Sequence, residues 1–223
     1  MMFALLHSPL VGPATWTALA PVLQARGHAV SVPDLTAAMR EDGPYYPALA
    51  ALAAAACGPG SILVAHSGAG ALVPSVAALA PVKAVIFVDA LLPHPGQSWF
   101  DGVPTELATR LRGLVKGGKL PPWHAWWPKG AMERLLPDRA QGAAFIAEQS
   151  ELPLAYFDEA APEVPLATPI AYLKLSDAYA VDADTAAAEQ GWPVERLDLN
   201  HLSVLTEPGI VGDAMERLAG AIA

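Results

Sequence analysis

Ser67 stands in Val64-Ala65-His66-Ser67-Gly68-Ala69-Gly70, at the end of an apolar run and the start of a helix-forming stretch. A serine on a tight strand-to-helix turn needs small residues two positions before and after it, because larger side chains would collide with neighbouring backbone. Ala65 and Ala69 fill those positions, and no other serine in the chain has small residues at both. Such a turn exposes the hydroxyl as a nucleophile. It also sets the Gly68 N–H and a helix N-terminus beside a developing oxyanion. A serine nucleophile requires a base, and the base an orienting acid. His201, in Asn200-His201-Leu202-Ser203, follows the last β-type run and can serve as that base. Asp177, in Leu175-Ser176-Asp177, and Asp89, in Val88-Asp89-Ala90, each follow an apolar run and compete for the role of acid. Asp34 also follows such a run, but reads better as a turn or helix cap.

Six runs have the character of strands: Phe3–Leu6, Ala29–Val32, Ile62–Val64, Ala84–Val88, Ile170–Leu175 and Val194–Leu199. Several are almost wholly apolar, as in parallel strands covered on both faces. Helical stretches fall near residues 14–26, 44–57, 68–80 and 208–222. This alternation predicts an α/β fold with a doubly wound, mostly parallel sheet of about six strands. In that architecture the acid usually follows the penultimate strand, which favours Asp177 over Asp89. The order Ser67, Asp177, His201 is the expected one. From about residue 93 to 165 no convincing strand occurs, and prolines and aromatic residues are frequent. This segment reads as a short helical cap inserted over the carboxyl edge of the sheet, where open α/β sheets bind ligands. The chain is thus a single domain, 1–223, carrying a cap at about 93–165.

The composition narrows the partners. With 13 Lys+Arg against 22 Asp+Glu and a net charge of −9, nucleic acid is a poor partner. Apolar residues make up 53% of the chain, but they lie in runs too short to span a membrane. The first residues lack the basic and long apolar regions of a secretory signal, so a cytoplasmic location is expected. One cysteine, Cys57, permits no internal disulfide and reads as a small packed residue. The six histidines show no metal-binding spacing, so no metal is expected. Gly68-Ala69-Gly70 lacks the third small residue and the first-strand context of a dinucleotide loop, so no cofactor is expected.

Taken together, these residues resemble the α/β-hydrolase superfamily, and in layout the group containing plant methyl esterases and hydroxynitrile lyases. The matching stretches are Leu6-His7-Ser8 through Trp16, the Ala-His-Ser-Gly-Ala turn, Phe87 to Pro93, Ser176-Asp177 and Asn200-His201, spread over nearly the whole chain. The resemblance implies a sheet shortened from the family's eight strands, because the His7-Ser8-Pro9 loop follows the first strand-like run directly and the two leading antiparallel strands are expected to be absent. The resemblance implies a cofactor-independent serine hydrolase with Ser67, His201 and Asp177 as its triad, and an oxyanion hole of Gly68 and Ser8. Two departures bear on this. Many members carry His-Gly-aromatic after the first strand and use the third residue's N–H in the hole. Here the sequence is His7-Ser8-Pro9, and proline has no N–H. Either Ser8 substitutes, as a threonine hydroxyl does in the lyase-like relatives, or the loop is shifted by one residue. The related lyases also place a lysine directly after the histidine, where this chain has Leu202, which disfavours cyanohydrin cleavage.

The expected substrate is a small to medium, mainly apolar ester, thioester or lactone. Trp99, Trp123, Trp126, Trp127 and Tyr156 either line its pocket or pin the cap to the core. His94 and His124 read as surface or rim residues of the cap. Two other function classes remain open at this level. One is a non-hydrolytic lyase, isomerase or cyclase that uses the same groups for acid–base chemistry. The other is a ligand-binding protein on the same scaffold.

Overall fold

The computed structural model describes residues 1–223. Its centre is a six-stranded sheet in the order β2-β1-β3-β4-β7-β8, with every neighbouring pair parallel. The strands are β1 (Met2–Leu6), β2 (Ala29–Ser31), β3 (Ser61–Ser67), β4 (Val82–Ala90), β7 (Ile170–Lys174) and β8 (Val194–Arg196). The sequence reading finds all six. β3 and β4 are longer than their apolar runs, and β8 is shorter.

Alternate residues of each strand enter opposite cores, as strand geometry requires. Ala4, Leu6, Leu63, Ala65, Val85, Phe87 and Tyr172 face one side. There they meet Leu49 and Ala53 of α2 (Tyr45–Ala55), Val76 of α3 (Val73–Leu79), and Ala183 and Ala186 of α9 (Ala180–Ala188). Phe3, Leu5, Ile62, Val64, Ile86, Ala171 and Leu173 face the other side. They pack on Leu19 and Leu23 of α1 (Leu19–Ala25) and on Val211, Met215 and Leu218 of α11 (Pro208–Ile222). The sheet is therefore doubly wound, and because every pair is parallel the carboxyl ends of its strands share one edge. The short α10 (Ser203–Thr206) leads into α11.

Between β4 and β7 lie α4 (Trp99–Gly102), α5 (Thr105–Arg112), α6 (Ala131–Leu135), α7 (Arg139–Ala147) and α8 (Leu154–Asp158). Against the expectation of no strand, this segment also holds a two-stranded antiparallel ribbon, β5 (Lys119–Leu120) with β6 (Leu152–Pro153). Its strands contain two residues each, too few for any hydrophobic period to show. Aromatic edges hold these helices together: Trp99 meets Phe157 at 5.2 Å and Trp126 at 6.1 Å between ring centres. The segment is also fastened to the sheet layer by Glu159. Its carboxylate accepts the Tyr45 and Tyr46 N–H groups, at 2.7 and 2.9 Å. These are donors that the start of α2 leaves without intrahelical partners. No helix is long and apolar enough to cross a membrane.

Candidate active site

β3 ends at Ser67 with φ 59° and ψ −130°, a region that side-chain-bearing residues rarely occupy and that clusters at functional sites. Packing on both sides imposes it. Ala65 and Ala69 are fully buried, and the turn presses against the end of β4. There the Leu91 N–H donates to the Ser67 carbonyl at 3.1 Å. A Cβ at Gly70 would overlap the Leu91 carbonyl oxygen. The glycine is thus what permits this approach.

His201 lies in the loop after β8. Its Nε2 is 3.1 Å from Ser67 Oγ and its Nδ1 is 2.8 Å from Asp89 Oδ2. Several contacts fix the ring. The His201 carbonyl accepts a hydrogen bond from His66 Nε2 at 2.9 Å. The imidazole is sandwiched between His66, at 4.5 Å and 24°, and Tyr179, at 5.0 Å and 13°. Asn200 Oδ1 accepts the Leu202 N–H at 2.8 Å, closing the loop on itself.

The group facing His201 is Asp89, which corrects the preference for Asp177. Asp177 is 92% exposed, and its carboxylate pairs with Lys174 at 2.8 Å. The reason lies in strand register. His66 pairs with Val88, but Ser67 pairs with Ala90, so Asp89 is the extra residue of a bulge, at φ 44°. Bulges re-aim side chains beside functional sites. This one turns the Asp89 carboxylate across the carboxyl edge of the sheet. The end of β7 then contributes donors instead of an acid. Leu175 N–H and Ser176 N–H reach Asp89 Oδ1 at 2.8 and 2.9 Å, and Ser176 Oγ reaches Oδ2 at 2.6 Å. Burial on its own would raise this carboxyl. The hydrogen bond and charge of His201 and the Ser176 donors outweigh it and hold Asp89 below the usual carboxylate range.

Above Ser67 opens a cavity of about 850 Å³ lined mainly by apolar side chains. Trp99, Trp123, Trp126 and Trp127 all line it, together with Gly68, and its few polar groups include Ser176, Tyr179, Asp182 and Arg134. Tyr156 does not line it, a second correction. That ring is buried against Tyr45, Tyr46 and Phe157 and belongs to the core. A residue between two aromatic clusters reads alike from sequence whether it packs inward or toward a pocket. Ser8 lies beside Gly68: a Cβ on that glycine would stand 2.8 Å from Ser8 Oγ and 3.9 Å from Pro9 Cδ. Pro9 offers no N–H, while the Leu10 and Val11 N–H groups are spent on Ser8 Oγ and Ser8 O, at 3.2 and 3.1 Å. Nothing in the sequence marks Tyr179, whose hydroxyl is 3.2 Å from Ser67 Oγ. It lies only two residues past Asp177, so the strand-end signal reaches its loop but not its side chain. No three His, Cys, Asp or Glu side chains converge in the manner of a metal site.

Two further histidines are buried beside the site. His7 donates from Nδ1 to Ser8 O at 2.8 Å and accepts the Leu35 N–H at Nε2 at 3.0 Å. Burial lowers its pKa, and burial together with His201 drives His66 down to about 3. Both are neutral when folded, whereas the unfolded chain protonates them near pH 6.5. Their contribution to stability is therefore complete above pH 6.5 and lost as pH falls below it. Each loses about 1.4 kcal/mol per pH unit until its folded pKa is reached. His66→Gln is thus expected to flatten the decline of the urea midpoint between pH 6.5 and 5. Equal slopes in the variant and the parent would contradict this account.

No family model and no curated relative matches the sequence. Solved structures do. An extracellular α/β-hydrolase from a Paenibacillus species is described as sharing structural and functional homology with tobacco salicylic acid binding protein 2. It superposes with a TM-score of 0.78 at 20% identity, over 98% of each chain. The methylesterase MES16 from Arabidopsis matches at 0.68 and 16%, over 99% of each chain. A 1H-3-hydroxy-4-oxoquinoline 2,4-dioxygenase matches at 0.58 and 17%, over 98% of this chain and 91% of its own. The chain has the α/β-hydrolase fold, as its sequence resemblance implied.

Proposed function

We propose that this protein is a serine hydrolase acting on a small to medium, mainly apolar ester, thioester or lactone. The observation that carries the reading is the continuous relay from Ser67 Oγ through His201 to buried Asp89, opening into an aromatic-walled cavity. A volume of about 850 Å³ is in the range of pockets that enclose drug-sized ligands. Ser67 attacks the carbonyl carbon while its proton passes to His201 Nε2. Asp89 holds Nδ1–H and stabilises the imidazolium. The oxyanion is met by the Gly68 N–H and the Ser8 hydroxyl. His201 then protonates the leaving group, and later activates the water that releases the acyl group. The relatives described as a hydrolase and a methylesterase are in keeping with this chemistry.

A second reading, a lyase, isomerase or cyclase, draws on two observations. Pro9 supplies no oxyanion donor and the next two N–H groups are occupied, while the fold also serves a dioxygenase. A fluorophosphonate probe separates the readings. The hydrolase should be labelled stoichiometrically at Ser67 and should turn over p-nitrophenyl esters, with both lost in Ser67→Ala. Labelling that survives in a folded Ser67→Ala protein would remove the assignment. Tight ligand binding with neither labelling nor turnover would instead favour a binding protein.

A further inference from the structure

The protons around Ser67 set the direction of its hydrogen bond with Tyr179. Asp89, as a carboxylate, can only accept, so the His201 Nδ1 facing it at 2.8 Å carries the proton. In the neutral ring Nε2 is then an acceptor, and the single Ser67 proton points to it across 3.1 Å. The remaining neighbour of Ser67 Oγ is the Tyr179 hydroxyl at 3.2 Å. Since Ser67 has no second proton, Tyr179 donates and Ser67 Oγ accepts. The phenol ring lies parallel to His201, which fixes the direction from which this hydrogen bond arrives. Burial pushes its pKa up, so it keeps its proton.

Tyr179 reaches Ser67 from beyond β7, whereas Ser8 and Pro9 reach it from the end of β1. In the sheet order these strands lie on opposite sides of β3. The phenol is therefore set apart from the oxyanion loop and directed at Oγ itself. While Oγ is attacking, the donor adds little, because it already binds the neutral serine hydroxyl before the step begins. In the acyl-enzyme Oγ is an ester oxygen, a poor acceptor, and the hydrogen bond is gained only as that oxygen departs. It helps when Oγ is the leaving atom, because negative charge then gathers there. We propose that Tyr179 is a catalytic residue for deacylation, stabilising Ser67 Oγ as it departs from the acyl group. The inference rests on the hydrolase reading above. In that step water adds to the acyl carbon and loses a proton to His201 Nε2. The C–Oγ bond then breaks with its electron pair going to Oγ, and the proton returns from His201 to Oγ. Tyr179 donates a hydrogen bond throughout and transfers no proton.

The test is stopped-flow hydrolysis of p-nitrophenyl acetate by the parent, Tyr179→Phe and Ser67→Ala proteins. The release burst gives the acylation rate constant and the steady state gives the deacylation rate constant. Phe keeps the ring against His201 and removes only the hydroxyl. In Tyr179→Phe deacylation is expected to slow by roughly 10- to 100-fold, the range for a hydrogen bond to a charged atom. Acylation should change less than about threefold, because its ground state already holds this hydrogen bond to the serine hydroxyl, and intact mass should show acetyl trapped on Ser67. Both constants falling together, acylation falling more, or neither changing would overturn the proposal. A Ser67→Ala protein as active as the parent would instead overturn the hydrolase reading. Equal fluorophosphonate labelling and urea midpoints of parent and Tyr179→Phe establish that folding and the nucleophile are intact.

Discussion

Replacing Asp89 by Asn is expected to lower kcat for p-nitrophenyl acetate by about 10⁴-fold, while Asp177→Asn stays within about twofold, as for a surface substitution far from the chemistry. On the hydrolase reading proposed above, the carboxylate at 2.8 Å from His201 Nδ1 keeps the proton on that nitrogen and leaves Nε2 to take one from Ser67. An asparagine amide that keeps its hydrogen bonds to the Leu175 and Ser176 N–H groups through its oxygen must present its NH₂ to the imidazole. The ring then carries its proton on Nε2, pointing at Ser67, and the base is lost. Asp177, exposed and paired only with Lys174, touches none of these atoms. Steady-state kinetics of the two variants decide the matter. A comparable loss in Asp177→Asn would return the acid to the end of β7.

Gly70→Ala is the substitution from which the largest loss of stability is expected. Its Cβ would overlap the Leu91 carbonyl, a backbone atom that cannot rotate away. Leu91 also donates to Ser67 O and lies two residues past Asp89. Relief of the overlap therefore requires the Ser67 turn and the end of β4 to separate. We expect a loss of about 3 kcal/mol or more in urea unfolding, at the upper end for overpacked cores, with activity falling in parallel. A variant with parental midpoint and kcat would show that β4 can yield there without cost.

The histidines and the tyrosine place the remaining effects in different observables. His66→Gln alters the acid limb of stability, and Tyr179→Phe alters the division of rate between two chemical steps. Neither duplicates the Asp89 result, because each removes a different contact of the same imidazole.

Much of this protein is legible in the order of its residues. Strand-like runs of three to six residues separated by alanine-rich stretches are enough to call a parallel sheet between helices, since burial on both faces leaves little room for polar side chains. Small residues around Ser67, followed by a helix-forming stretch, reveal the turn because its steric demand acts on immediate neighbours. His201 is legible for a similar local reason, as it follows the last strand on the edge where the chain must return.

The acid was not decidable in this way. Asp89 and Asp177 both end strands at the same edge, and their types and positions are equivalent on paper. What separates them is a one-residue slip between β3 and β4, which turns Asp89 inward and leaves β7 to supply the N–H groups that hold it. Such a slip arises from the packing of the Ser67 turn on Leu91, a contact between segments more than twenty residues apart. Tyr156 and Tyr179 make the same point from the side-chain level. One was expected at the pocket and lies in the core; the other carried no signal and touches the serine. Sequence by itself determined the sheet, the serine turn and the histidine, because those follow from local sterics and burial period. Only the tertiary structure decided which carboxylate and which phenol face the imidazole, because a side chain's direction at a strand end depends on the register of its neighbours.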